Sequence, residues 1–390
     1  MASAPDGSLN RDRALLLSAR GLRAFAFGFS AVLVGLDLEA AGLSPALIGL
    51  TLGVGLAAAS LTGLAAAALS ARYGRRATLA LTGVLMCLTG ADLAVATQPV
   101  LLTLAGITGM LGAASVDLGP FASLEQAMLA EAVPERARNR AFGRYSLIGG
   151  LFNAAGGLSA AFAPAPRSFF YLYAALGLAT AALPLLMSSG VETDGGRPVF
   201  GSLRPLLGLA GLFALDSLGG GLVANAVIAY WLHVRYGAEP ALLGPVFASV
   251  AILQSVSYEV SGRLGDRIGL INTMVFTHLP SNVLLLLVPL SPTLAWAVGL
   301  LLARFALSQM DVPARQAYVV SIVAPSERAG AVAVTGAVRG VAQGLGAPLA
   351  GVAIGAAAFG FPFYVGGGLK IAYDLALYAA FRGRPATHET

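Results

Sequence analysis

Apolar residues run through this chain in long, unalternating stretches, separated by short clusters of arginine, glycine and proline. Strict alternation would point to barrel strands, and none of the runs alternates. A bilayer core about 30 Å thick needs roughly 20 residues of helix, and only helices or closed barrels satisfy the backbone in lipid. The pattern therefore predicts twelve membrane helices, near 22–42, 46–69, 77–97, 99–129, 139–163, 168–188, 205–232, 241–262, 271–290, 293–322, 329–357 and 361–381. One central segment, Ser188–Leu203, clusters polar, Gly and Pro residues and reads as a linker. The expected domains are residues 1–187, a six-helix bundle, 188–204, a cytoplasmic linker, and 205–390, a second bundle.

Composition strengthens this picture. Only 11% of the 390 residues are charged and 57% are hydrophobic, against about 25% charged in soluble domains. A surface so poor in charge faces lipid. The net charge of +5 raises the question of nucleic acid, but the arginines sit in short groups between apolar runs and form no basic face. No nucleic-acid partner is expected. Cys87 is the single cysteine, so no intrachain disulfide forms.

The arginine groups set the orientation. Arg11, Arg13, Arg20 and Arg23, then Arg72, Arg75 and Arg76, then Arg136 to Arg144, Arg263, Arg267 and Arg382 fall on one side. Arg167 and Arg235 fall on the other. The positive-inside rule places the rich side, and both termini, in the cytoplasm. The expected location is a plasma membrane, a bacterial inner membrane, with the first helix serving as an uncleaved signal.

The two halves repeat each other. Glu125-Gln126-Ala127 followed by Pro134-Glu135-Arg136-Ala137 matches Arg315-Gln316-Ala317 followed by Pro325-Ser326-Glu327-Arg328-Ala329. Arg72-Tyr73-Gly74 matches Arg267-Ile268-Gly269. Parallel six-helix repeats are a transporter architecture with the site near mid-membrane. The segment Gly262-Arg263-Leu264-Gly265-Asp266-Arg267-Ile268-Gly269 resembles the hallmark loop of the major facilitator superfamily, without its trailing basic pair. The first-half copy keeps Arg72, Arg75 and Arg76 but has Ala67 and Ala71 where Gly and Asp are usual. The resemblance implies an all-α membrane protein of twelve transmembrane helices in two pseudo-symmetric bundles, with helices 1, 4, 7 and 10 along the central path. It also implies gating by Asp266, Arg267 and Arg72. Exporters of the family carry a Gly-Pro signature in helix five; here helix five lacks the proline, while helix eleven has Gly346-Ala347-Pro348.

Charges within the apolar runs are the candidate chemistry, because an ionisable group at mid-bilayer costs about 2.5–3.5 kcal/mol on insertion scales. Asp216, Arg304 and Arg339 lie at similar depth, so Asp216 either exchanges a proton or forms a fixed ion pair with Arg304 or Arg339. Arg304, Ser308, Asp311 and Arg315 recur at helical spacing and line a cavity or a polar interface, with Pro313 bending the helix. Asp117 precedes a Gly119-Pro120 break, and Glu125 follows it. Glu125 and Arg315, equivalent in the repeat, are expected to meet across the pseudo-symmetry axis or to pair with loop arginines, gating the pore. Asp117, Asp311 and Asp37 join Asp216 as candidate solute or coupling residues, with interfacial water the alternative for Asp37 and its neighbour Glu39; Lys370 and Asp374 form a local pair four residues apart, and His278 is a hydrogen-bonded packing residue. The glycines of helices five and eleven read as tight packing.

These features describe a secondary transporter of a small solute. No Walker-type loop is present and Lys370 is the only lysine, so an ion gradient is the expected driving force, a proton in the first place and sodium in the second. Export of an amphipathic or toxic compound is the first expectation, uptake of an anionic metabolite drawn by Arg304 and Arg339 the second. A membrane enzyme lacks a visible nucleophile–base set, and a receptor or sensor would usually add a soluble domain. No cofactor or metal is expected, and the chain is expected to work as a monomer among membrane lipids.

Overall fold

A computed structural model describes residues 6–112, 120–131, 138–163, 165–192, 204–321 and 328–382. Among them the regular structure is entirely helical: α1 Asp6–Ala40, α2 Pro45–Tyr73, α3 Arg75–Val95, α4 Pro99–Ile107, α5 Pro120–Glu131, α6 Arg138–Ser159, α7 Pro166–Leu185, α8 Arg204–Leu222, α9 Asn225–Tyr236, α10 Pro240–Ile268, α11 Leu270–Leu287, α12 Leu294–Ser308, α13 Asp311–Ser321, α14 Arg328–Gly355 and α15 Phe361–Phe381. Nine helices among the described residues are long and apolar enough to cross a membrane. Large apolar side chains such as Leu178, Leu345 and Val352 stay exposed on their outer faces. Apolar exposure on that scale, on helices of this length, suits a surface that meets lipid.

The chain divides into two compact units. The first comprises Met1–Leu43, Val54–Arg197 and Pro240–Ala248, the second Ser44–Gly53, Pro198–Glu239 and Ser249–Thr390. In the first, α1 packs on α6 and α7, and α3 on α7; in the second, α8 packs on α14 and α15, and α11 on α12, α13 and α15. Without a hydrophobic drive in lipid, close backbone contact holds such pairs together. A methyl group placed on Gly156 would come within 1.9 Å of the Phe25 carbonyl oxygen, and one on Gly221 within 1.8 Å of that of Gln343. Those positions accept no side chain.

The repeat seen in the sequence is also local geometry. Gly74 opens α3 at φ 84° and ψ 162°, and Gly269 opens α11 at φ 85° and ψ 159°, a conformation open to glycine and strained for other residues. Four residues on, Thr78 and Thr273 each donate a 2.8 Å hydrogen bond to that glycine's carbonyl.

Three predicted helices are in fact broken, the fourth beside the expected Gly119-Pro120 break and the other two at places no proline marks. The fourth stops at Ile107, with Gly109 at φ 72°, and resumes at Pro120. The seventh divides between Leu222 and Asn225. The tenth divides at Gln309–Met310, so Pro313 sits in the first turn of α13, where its missing N–H is not needed. The first helix starts at Asp6, well before the predicted residue 22, which moves Arg20 from a loop into a helix, and Arg23, grouped with the loop arginines, lies in the same helix. Beyond α7, Glu192 accepts from the backbone N–H groups of Arg75 at 2.5 Å and Arg76 at 3.1 Å, setting a carboxylate on the N-terminus of α3.

Candidate functional site

The second unit buries a chain of ionisable side chains. Asp216 on α8 lies at its centre: Lys370 Nζ on α15 donates to Oδ1 at 2.7 Å, and Arg315 Nη1 on α13 to Oδ2 at 3.5 Å. His278 Nε2 on α11 stands 3.8 Å from the same Oδ1. Arg315 also holds Asp311, one turn back, at 2.8 Å. The other edge of the imidazole meets Asp374, with Nδ1 and Oδ1 2.8 Å apart, and Asn282 Nδ2 donates to Asp374 Oδ2 at 2.9 Å. All of these side chains are buried.

The helices that make this possible are those whose packing faces are polar. On α11, Thr277, His278, Ser281 and Asn282 point inward together. On α15, Lys370 and Asp374 share one face by their four-residue spacing. Because α15 packs on both α8 and α11, each finds its partner on another helix. The expected local Lys370–Asp374 pair gives way to two tertiary contacts. His278 does make a hydrogen bond, and it stands between two carboxylates. With Asp374 ionised, Nδ1–H donates to it and Nε2 is left facing Asp216.

Arg304 and Arg339, the arginines expected to pair with Asp216, do not bond it. Arg339 Nε donates to the Ser217 hydroxyl at 3.3 Å. Arg304 is 5% exposed and stacks on Phe305, its Cζ 4.7 Å from the ring centre. Its Nε and Nη1 have no hydrogen-bond partner, and neither has Ser308 Oγ one turn on.

The first unit holds a smaller cluster. Glu125 on α5 accepts from Arg23 Nη1 and Nη2, at 2.8 and 2.6 Å, and from the Tyr145 hydroxyl at 2.7 Å. The Arg20 guanidinium covers Tyr145 at 4.3 Å, and that of Arg23 covers Phe121 at 4.2 Å. Glu125 and Arg315 thus each have a buried partner inside their own unit. Arg20 and Arg23, expected only as loop arginines that set the orientation, are part of this buried cluster, and their spacing of three sets them on one helical face. Asp37 is not at an open interface: it is 3% exposed, with Arg167 Nε 3.5 Å away. Arg72 and Arg267 are exposed at helix ends. Asp117 lies outside the described residues, as does the side chain of Asp266. Among the described residues no group of three or more His, Cys, Asp or Glu side chains is arranged to hold a metal.

The sequence profile of the Major Facilitator Superfamily matches residues 16–214 and again 209–390. An uncharacterized membrane protein of Saccharomyces cerevisiae, YJR124C, is 23% identical over 96% of this chain and 95% of its own. The fold is shared with the nucleoside transporter NupG, with a TM-score of 0.73 at 14% identity over 95% of this chain and 99% of that one. It is shared equally with a bacterial homolog of the human lysosomal transporter Spinster, with a TM-score of 0.72 at 17% identity over 97% and 96% of the two chains. The xylose transporter XylE from E. coli gives 0.70 at 15% identity over 96% and 98%.

Proposed function

Because this chain belongs to the major facilitator superfamily, a family of twelve-helix transporters built from two bundles, we propose that it is a proton-coupled secondary transporter of a small solute working by alternating access. The observation that carries the reading is Asp216, buried where α8, α11, α13 and α15 converge and bonded to two cations. While ionised, it ties α8 to α13 through Arg315 and to α15 through Lys370. A proton on Asp216 cancels the charge that both cations are bound to and loosens these ties together. His278 is placed to pass that proton, since its two ring nitrogens face Asp216 and Asp374. Such a junction has two arrangements, and proton occupancy biases them.

In this reading residues 1–187 and 205–390 act as the two bundles, joined by a cytoplasmic linker at 188–204. Arg72, Asp266, Arg267, Glu125 and Arg315 hold the cytoplasmic ends, and Asp37, Asp117, Asp311, Arg304 and Arg339 serve solute or proton. The arginine asymmetry supports cytoplasmic termini in a bacterial inner membrane, and the chain works as a monomer. Export of an amphipathic compound and uptake of an anion remain the two transport readings. The unpaired guanidinium of Arg304 favours an anion.

A dye-efflux and metabolite-uptake screen in a transporter-deficient host identifies the solute and its direction. Proteoliposomes under an imposed pH gradient then test coupling. Asp216→Asn should abolish gradient-driven accumulation and retain counterflow of the solute. Full accumulation by the variant removes Asp216 from the coupling step. Product formation in place of counterflow points to an enzyme, and binding without flux to a sensor.

A further inference from the structure

Every buried carboxylate among the described residues of the second unit already has a donor. Asp216 has Lys370 and Arg315, Asp311 has Arg315, and Asp374 has His278 and Asn282. Arg304, buried in the same unit, is a cation without an acceptor among the described residues. Its Nε and Nη1 find no acceptor, and the Ser308 hydroxyl on the same face of α12 is likewise unengaged. With Arg339 counted, these three carboxylates face four cations, so the described buried groups of this unit carry positive charge in excess. An arginine can be buried cheaply only when its charge and its donors are met. Here the face of the guanidinium is met by Phe305. Its edge is not.

We propose that Arg304 and Ser308 form the subsite for the carboxylate group of a small transported anion. The planar guanidinium fork matches a carboxylate with two parallel hydrogen bonds. Ser308, one helical turn away, offers a further donor on the same face. The solute brings the negative charge that the protein withholds, so the subsite is neutral when loaded and unbalanced when empty. A neutral solute leaves that imbalance in place and is rejected on electrostatic grounds. The assignment rests on the transporter reading above and adds the chemical class of the solute to it.

Formate is the probe, because it is the smallest carboxylate and tests the subsite with the least demand on space. Purified full-length protein in detergent is heated with sodium formate or with sodium chloride at matched ionic strength, and with formamide as the neutral counterpart. A site-bound anion in hundredfold excess over half-saturation should raise the melting temperature by roughly 3 °C, and formamide should not. Arg304→Gln should melt above the wild type without anion, because it removes an unmet buried charge, and should lose the formate response. Arg304→Lys, which keeps the charge but not the fork, should retain less than half of the response.

A lower melting temperature for Arg304→Gln, an unchanged formate response in that variant, or no response in the wild type overturns the proposal. A response to phosphate or sulfate and not to formate overturns the carboxylate class. Asp216→Asn separates the two readings. If it keeps the formate response while accumulating solute normally, the coupling assignment fails and the subsite stands. If it loses accumulation while the wild type ignores formate, the subsite fails and coupling stands.

Discussion

The two units solve the same problem, an ion pair between their first and fourth membrane helices, with opposite charge and different completeness. In the first, Arg23 on α1 meets Glu125 on α5 through two hydrogen bonds of 2.8 and 2.6 Å, and Tyr145 takes up a further lone pair. In the second the acid is on α8 and the base on α13, Asp216 and Arg315, 3.5 Å apart. The looser pair is supplemented by Lys370, His278 and Asp374 from helices that have no charged counterpart in the first cluster. One cluster is compact and saturated. The other is spread over four helices and borders an arginine with nothing to bond. The first has the character of a structural clamp, the second of a site whose charges have somewhere else to go.

If Glu125 is the sole counter-charge of a clamp, removing it is the most damaging single change in either cluster. Glu125→Ala strands a buried Arg23, and breaking a buried pair in this way costs about 3–5 kcal/mol. The loss should appear as a large fall in melting temperature of the detergent-solubilised protein. The double variant Arg23→Met/Glu125→Leu should recover most of it. A double variant as unstable as Glu125→Ala would mean that packing around α1 and α5, and not charge, holds the clamp.

In the second unit the same operation should cost less, because the charge is shared. Lys370→Met leaves Asp216 with Arg315 at 3.5 Å and His278 at 3.8 Å, so we expect a loss of about 2–3 kcal/mol. Transport should suffer more than stability, since Lys370 is one of the ties that protonation of Asp216 would release. A variant with normal gradient-driven transport would show that Lys370 is only a counter-ion. Tyr145→Phe removes a single hydrogen bond to a charged acceptor in the saturated cluster and should cost about 1.5 kcal/mol, with no change in transport rate.

The difference between the clusters was only partly legible in the sequence. Helix number followed from the length of the apolar runs, the repeat from two short matches and the family from the Gly262–Gly269 loop, which are all local signals. Asp216, Arg304 and Arg339 stood out because charge inside an apolar run is conspicuous, whatever it bonds. Their partners did not, because pairing depends on which helices pack together, and spacing reports only neighbours on one helix. Lys370 and Asp374 illustrate this: four residues apart, they read as a pair, yet α8 and α11 offer each a better acceptor or donor. Arg20 was concealed by a boundary, since a run counted from residue 22 leaves it in the loop, and Arg23, at the edge of that run, was grouped with the loop arginines. The breaks at Gln309–Met310 and Leu222–Asn225 carry no proline at the break itself, so the usual punctuation did not mark them.

The smallest expected effect tests how deep the likeness of the units runs beneath their opposite charges. Thr78 and Thr273 are both buried, and each donates to the carbonyl of the left-handed glycine four residues earlier, at the same 2.8 Å. Valine keeps the shape of the side chain and removes the hydroxyl, which should cost about 1 kcal/mol at either position. Because Gly74 and Gly269 share one backbone conformation, the two variants should shift the melting temperature equally, and together they should add, since the sites share no partner. Unequal shifts would place the equivalence in the backbone alone, with α3 and α11 relying on different side-chain support. That outcome would fit their surroundings, for Glu192 holds the N-terminal amides of α3, whereas Asn272 bonds the carbonyl of Ile268 at the start of α11. The loss should then be smaller at Thr78, where a second acceptor already steadies the helix start.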